Sequence, residues 1–218
     1  MCFVYFLVML DLGRQTLFIR TVRALFLFGM RVLFRMEHEG WERIPSTGPL
    51  ILVSNHVTYF DPPWIAARVY RTLRYMAWDR LLEIPLAGGI MRWSGAFPVN
   101  LENPEFGAYR QALKILEHGE ALMIFPEGGR SRNGKPGRFK VGAARLALRT
   151  GATIVPVAIC GGEKVWSKQM RFPRPAKVRV YYLKPITRDQ FPESADELIA
   201  RVRLRICHGL AGSWQEDA

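Results

Sequence analysis

From residue 41 onward, short apolar runs alternate with stretches whose apolar residues recur every three or four positions. The runs LILVS (50–54), LRYMAW (73–78), AFPV (96–99), ALMIF (121–125), TIVPVAI (153–159) and KVRVYYL (177–183) read as strands. Helical periods fill 62–71, 85–93, 104–118, 140–150 and 195–210. Strand candidates this apolar on both faces, separated by helices, predict an α/β fold with a mostly parallel sheet covered by helices. VWSKQMRFPRPAK (165–177) is basic and turn-rich and reads as a surface loop. No internal repeat, low-complexity tract or long linker interrupts this domain, 41–218.

Residues 1–40 follow a different rule. Met1 to Leu10 is apolar but too short to span a bilayer, and it lacks the basic start and small-residue cleavage site of a secretory signal. In the helical stretch that follows, Thr16, Arg20, Arg23, Arg31 and Arg35 share one narrow arc at 100° per residue, and Leu, Phe, Ile and Val occupy most of the rest. Such a helix could pack on the domain with its arginines in water. The preferred reading is a membrane-associating amphipathic segment, lying in the interface with arginines at lipid phosphates, because so much Phe and Leu surface exceeds what one small domain covers. A spanning helix is disfavoured: arginines near its centre cost about 2.5–3.5 kcal/mol each.

Composition narrows the partners. The 218 residues carry a formal net charge of +12 and are 49% hydrophobic, which excludes a mainly disordered chain and points to an anionic partner. Most of the cations are arginine, whose planar fork suits phosphate oxygens. Cys2, Cys160 and Cys207 lack metal-site spacing and fit a reducing compartment.

The unusual polar residues collect where strand candidates end, the place where ligands bind in such sheets. SNHVTYFD (54–61) puts His56 and Asp61 directly after the first run. Asp61, before Pro62 and Pro63, suits a helix N-cap, and His56 alone suits a polar turn. Together they allow more: an imidazole held at one nitrogen by a carboxylate can take a proton at the other. No covalent nucleophile presents itself. The chain has no G-x-S-x-G elbow, Cys160 sits in a strand candidate and Cys207 on a helix candidate. A substrate hydroxyl is therefore the expected nucleophile. FPEGGRSRNG (125–134) follows the fourth run. It fails as a phosphate-loop motif, since Pro136 stands where a Mg²⁺-binding hydroxyl belongs. A nucleic-acid surface is also poorly supported: around Arg130, Arg132, Lys135, Arg138 and Lys140 only Phe139 could stack on a base. A pocket for one phosphorylated small molecule fits better, with Gly128 and Gly129 allowing close backbone approach and Arg130 gripping phosphate.

These residues resemble a family. NHVTYFD looks like the N-H-x-[ST]-x-x-D motif of the glycerolipid acyltransferases, of the bacterial 1-acylglycerol-3-phosphate acyltransferase type; GAFPVN (95–100), FPEGGRS (125–131) and IVPVAI (154–159) resemble its second, third and fourth motifs in order. The similarity runs over about residues 40–185. It implies a catalytic pair, His56 as general base and Asp61 orienting it. It implies substrate binding by Glu127, Gly128, Arg130, Lys140, Asn55 and Thr58, with Val155 and Pro156 near the acyl chain. The implied reaction moves a fatty acyl group from an acyl-CoA or acyl carrier protein thioester to a lysophospholipid hydroxyl in phospholipid biosynthesis. The acceptor implied is 1-acylglycerol-3-phosphate. No cofactor beyond the thioester co-substrate, no metal and no nucleic acid is implied, and the location is peripheral or monotopic on the cytoplasmic face of an anionic membrane. Gly129 departs from the Thr or Ser usual in the third motif, and Leu101 from the Arg that commonly ends the second. These departures leave another lysolipid or glycolipid acceptor open, and a membrane-peripheral lipid or thioester hydrolase as an alternative.

Overall fold

The computed structural model describes residues 17–85, 87–93, 95–99, 107–131 and 134–212. Met1 to Leu10, Thr16, Leu101, Arg132 and residues 104–106 of one expected helix lie outside the described residues. The chain forms α1 (Leu17–Phe34), β1 (Glu37–Glu39), β2 (Leu50–Ser54), α2 (Asp61–Ala66), β3 (Leu73–Trp78), α3 (Asp79–Leu82), α4 (Ala87–Trp93) and β4 (Ala96–Val99). It continues with α5 (Gly107–Glu117), β5 (Ala121–Ile124), α6 (Gly142–Thr150), β6 (Thr153–Cys160), α7 (Gly162–Trp166), β7 (Arg179–Tyr182) and α8 (Ala195–Ala211).

The strands build one sheet in the order β1-β7-β6-β2-β5-β3-β4. Every pairing is parallel except β6 with β7. Strand β2 lies between β5 and β6, with all five residues buried. Alternate residues serve opposite layers. Leu50 and Leu52 join Trp64, Ile65, Met30 and Phe34 on one face; Ile51 and Val53 join Leu116, Leu146, Leu198 and Val202 on the other. Helices thus cover both faces and leave the strand ends for chemistry.

Three expectations shift. The sheet gains β1, which lies inside the segment assigned to 1–40 and pairs along β7. Its sequence, Glu-His-Glu, has no apolar run to betray a strand; Glu37 holds it at the edge by contacts to Lys177 (2.7 Å) and Arg179 (2.9 Å). The helix expected over 62–71 stops at Ala66, and Arg71 beyond it bonds the Pro45 and Gly48 carbonyls, turning the chain toward β3. The helix expected over 85–93 forms as α4, and a short helix that was not expected, α3, precedes it.

Helix α1 belongs partly to the core. Met30 and Phe34 are buried, and the Phe34 ring lies 5.8 Å from those of Phe60 and Trp64. Leu25, Phe28, Val32 and Leu33 are instead 65, 67, 62 and 55% exposed, so an apolar stripe faces away from the sheet. Among the described residues, no helix is long and apolar enough to cross a membrane.

Candidate active site

Strand β2 ends at Ser54, and the chain leaves the sheet as a tight loop before α2. Asp61 is not the N-cap. It is the first residue of α2, behind Phe60 at the cap position. A capping side chain there would have only the Trp64 N–H to accept, because Pro62 and Pro63 have none, and Trp64 N donates to the Phe60 carbonyl instead. The carboxylate turns back into the loop instead. Its Oδ2 accepts from the backbone N–H of Val57 (2.6 Å) and of Thr58 (2.9 Å), and from His56 Nδ1 at 2.7 Å. Asp61 is fully buried, and its Oδ1 has no hydrogen-bond partner among the described residues.

This contact fixes the imidazole tautomer. An ionised carboxylate only accepts, so Nδ1 carries the proton and Nε2 keeps its lone pair. Nε2 has no partner among the described residues. The ring, with 18% of its side-chain surface exposed, stacks on Phe125 with centroids 4.1 Å apart.

The second loop is stapled to the first. Glu127 Oε1 accepts from His56 N at 3.0 Å, Oε2 accepts from Gly137 N at 2.9 Å, and Ser131 N donates to the His56 carbonyl at 2.7 Å. Both Glu127 oxygens therefore face backbone. Gly128 has φ +72°, and a Cβ there would stand 3.0 Å from Lys140 Nζ, so the glycine leaves room for that ammonium. The Arg130 guanidinium lies over the Tyr59 ring, 3.5 Å from its centroid, and Tyr59 leans edge-on against Trp166. Arg130 and Lys140 thus place two cations on the loop beside the dyad.

Other expected residues face inward. Asn55 is buried and clamps β6, donating through Nδ2 to the Ile159 carbonyl (3.0 Å) and accepting at Oδ1 from Ile159 N (2.9 Å). Thr58 is buried, and its Oγ1 accepts from Phe60 N. Val155 and Pro156 are buried within β6, paired with Leu52 and Val53. Sequence reasoning missed Tyr59, Phe125 and Trp166, whose only signal was aromatic residues next to the polar motifs. Cys160 is no nucleophile: burial, and then the charge of Glu163, push its thiol up to about 11.

A family model described as Acyltransferase matches residues 35–160. The chain is 28% identical over 181 residues to the chloroplastic 1-acyl-sn-glycerol-3-phosphate acyltransferase LPAT1 of Arabidopsis thaliana, covering 81% of this chain and 49% of that protein. It is 29% identical over 151 residues to the 1-acyl-sn-glycerol-3-phosphate acyltransferase of Borreliella burgdorferi, covering 68% of this chain and 59% of that one. The crystal structure of the 1-acyl-sn-glycerophosphate (LPA) acyltransferase PlsC from Thermotoga maritima superposes with a TM-score of 0.72 at 27% identity, over 88% of this chain and 81% of that chain. The chain spans about half the length of the curated relatives it matches.

Proposed function

The chain belongs to the acyltransferase family, and from that premise we propose that it transfers a fatty acyl group from a coenzyme A or acyl carrier protein thioester to a lysophospholipid. The acceptor is 1-acylglycerol-3-phosphate and the product phosphatidic acid. One observation carries this reading: His56 Nδ1 bonded to Asp61 Oδ2 at 2.7 Å, with Nε2 left as a proton acceptor.

In this mechanism Nε2 takes the proton of the acceptor hydroxyl as its oxygen attacks the thioester carbonyl. The imidazolium that forms is stabilised by the buried Asp61 carboxylate. The tetrahedral intermediate then expels the thiolate, which recovers the proton from Nε2. Arg130 and Lys140 hold the acceptor phosphate, Arg130 as a two-pronged donor and Lys140 as a point charge. Glu127 joins the two loops, Asn55 ties the first to β6, and Thr58 braces the first from within. The outward stripe of α1 sets the enzyme into the cytoplasmic face of the membrane, where the acceptor's acyl tail resides; Leu25, Phe28 and Val32 supply apolar contact. The departures at Leu101 and Gly129 favour, as a second reading, a lysolipid acceptor with a different head group.

A labelled acyl-transfer assay over a panel of lysolipid acceptors tests the reading. Folded His56→Ala is expected to lose about 10²–10⁴-fold in turnover. Near-full turnover would overturn the assignment of the base, and thioester loss at one rate with or without any lysolipid would identify a hydrolase.

A further inference from the structure

A second cleft lies outside the dyad. It opens where β6 ends, has a volume of about 600 Å³, and runs between that strand end, the 134–136 turn, α7 and the start of β7. Its lining combines two chemistries. Pro136 and Leu210 offer apolar surface, while Lys135, Lys164, Lys177 and Arg179 bring four cations; Glu163 in the lining and Glu37 beside it are the carboxylates. Two of the cations are held in place: Lys177 and Arg179 share Glu37, one on each carboxylate oxygen. The Lys164 ammonium has no ion pair among the described residues.

The cleft is joined to the catalytic loop at two points. Ile159 is the residue whose peptide groups Asn55 clamps, and Asn55 directly precedes His56. Ser131, which donates its N–H to the His56 carbonyl, also donates its hydroxyl to the Lys135 carbonyl at 2.8 Å. A ligand seated here would touch residues that brace the catalytic loop, and neither Arg130 nor Lys140 lines the cleft.

We propose that this cleft seats the phosphate end of the acyl donor, a pantetheine phosphate borne by coenzyme A or by a carrier protein. The inference rests on the acyltransferase reading of the dyad. A pantetheine arm has an uncharged stem and an anionic end, matching a lining that joins Pro136 and Leu210 to cationic side chains, and the volume is ordinary for a small-ligand site. Two anionic substrates must be bound at once for direct transfer. Giving each its own cations keeps the donor from competing for the acceptor's phosphate site.

The test measures binding of coenzyme A, 4′-phosphopantetheine and inorganic phosphate to the full chain by calorimetry, for wild type, the double variant Lys135→Gln/Lys164→Gln, and Lys164→Glu. Coenzyme A is expected to bind about tenfold more weakly to the double variant, and more weakly still than wild type to the charge reversal. The donor KM should rise by the same factor while the acceptor KM stays fixed. Equal affinity for 4′-phosphopantetheine and coenzyme A would identify the arm as sufficient, as a carrier-protein donor requires. Tighter coenzyme A binding would show that the nucleotide end contributes as well. Unchanged coenzyme A affinity in folded variants, inorganic phosphate binding as tightly as 4′-phosphopantetheine, or an acceptor KM that rises with the donor's, overturns the proposal. If the variants weaken coenzyme A as expected but no lysolipid accelerates thioester loss, the cleft stands and the transferase reading falls.

Discussion

The loop that carries His56 and the loop that carries Arg130 are joined by two hydrogen bonds, from Ser131 N to the His56 carbonyl and from His56 N to Glu127 Oε1, yet they are held in opposite ways. Around His56, Asp61 Oδ2 gathers three donors, Asn55 exchanges two bonds with β6, and the aspartate and asparagine are both buried. Around Arg130, Gly128 and Gly129 are exposed, and the guanidinium rests on a tyrosine that is itself 46% exposed. In the proposed mechanism the proton-transfer geometry is fixed in advance by buried bonds. In that mechanism the charge that reads the acceptor sits on the more exposed loop, on a side chain that makes none of the bonds orienting the base. Chemistry and recognition are adjacent but separately adjustable.

The largest effect should come from the rigid side. Asp61→Asn presents an amide that cannot stabilise the imidazolium and brings N–H groups toward donors already in place. Turnover is expected to fall about 10²–10⁴-fold with little change in acceptor KM. A fall below tenfold would break the claim that this loop is preset. On the adjustable side, Arg130→Ala should raise the acceptor KM about ten- to a hundredfold, the range expected for losing hydrogen bonds to a charged group. Arg130→Lys should recover only part of this, since an ammonium lacks the planar fork. Equal damage to donor and acceptor KM would erase the division of labour.

Acid conditions offer a control that touches neither loop. His38 at the sheet edge donates from Nε2 to the Trp64 carbonyl at 3.0 Å, and burial lowers its pKa to about 4. The unfolded chain, with an ordinary imidazole, takes the proton first. The stability His38 contributes is therefore complete above about pH 6.5 and is lost as pH falls toward 4. Urea midpoints should show wild type losing on the order of 2 kcal/mol between pH 7 and pH 5, with a smaller loss in His38→Gln. An equal loss in both proteins would assign the acid sensitivity elsewhere. The smallest effect belongs to Tyr59→Leu. Removing a cation–π contact of about 0.5–1 kcal/mol should raise the acceptor KM a few-fold and leave turnover alone. If turnover falls instead, Tyr59 supports the base as well as the arginine.

Much of this arrangement was legible along the chain. The buried runs identified the central strands because a parallel strand covered on both faces must be apolar throughout, as β2 is. The five-residue step from His56 to Asp61 was legible because a tight loop can close over it. Strand β1 was not: at an exposed edge, charged pairs can replace apolar alternation, and Glu37 does so with Lys177 and Arg179. The turn of the Asp61 carboxylate away from the helix was also hidden, because Pro62 after it reads equally well as the start of a capped helix. Asn55 read as part of a binding motif, but its partner Ile159 is 104 residues away. The cationic cleft draws on four separated segments, so no window of sequence contains it.

The Asn55 clamp and the Glu127 staple have a kinetic consequence. They join residues 104 and 71 positions apart, so the base is oriented only after β2, β5 and β6 have all docked. Contacts between distant parts of a chain carry the loop-closure entropy of everything between them and tend to form late in folding. Catalytic competence should then be among the last properties to appear during refolding, lagging the recovery of helical signal. On the proposed mechanism, a partly folded chain would meet a thioester with its imidazole unaligned, and so would not squander the donor before the acceptor's site exists.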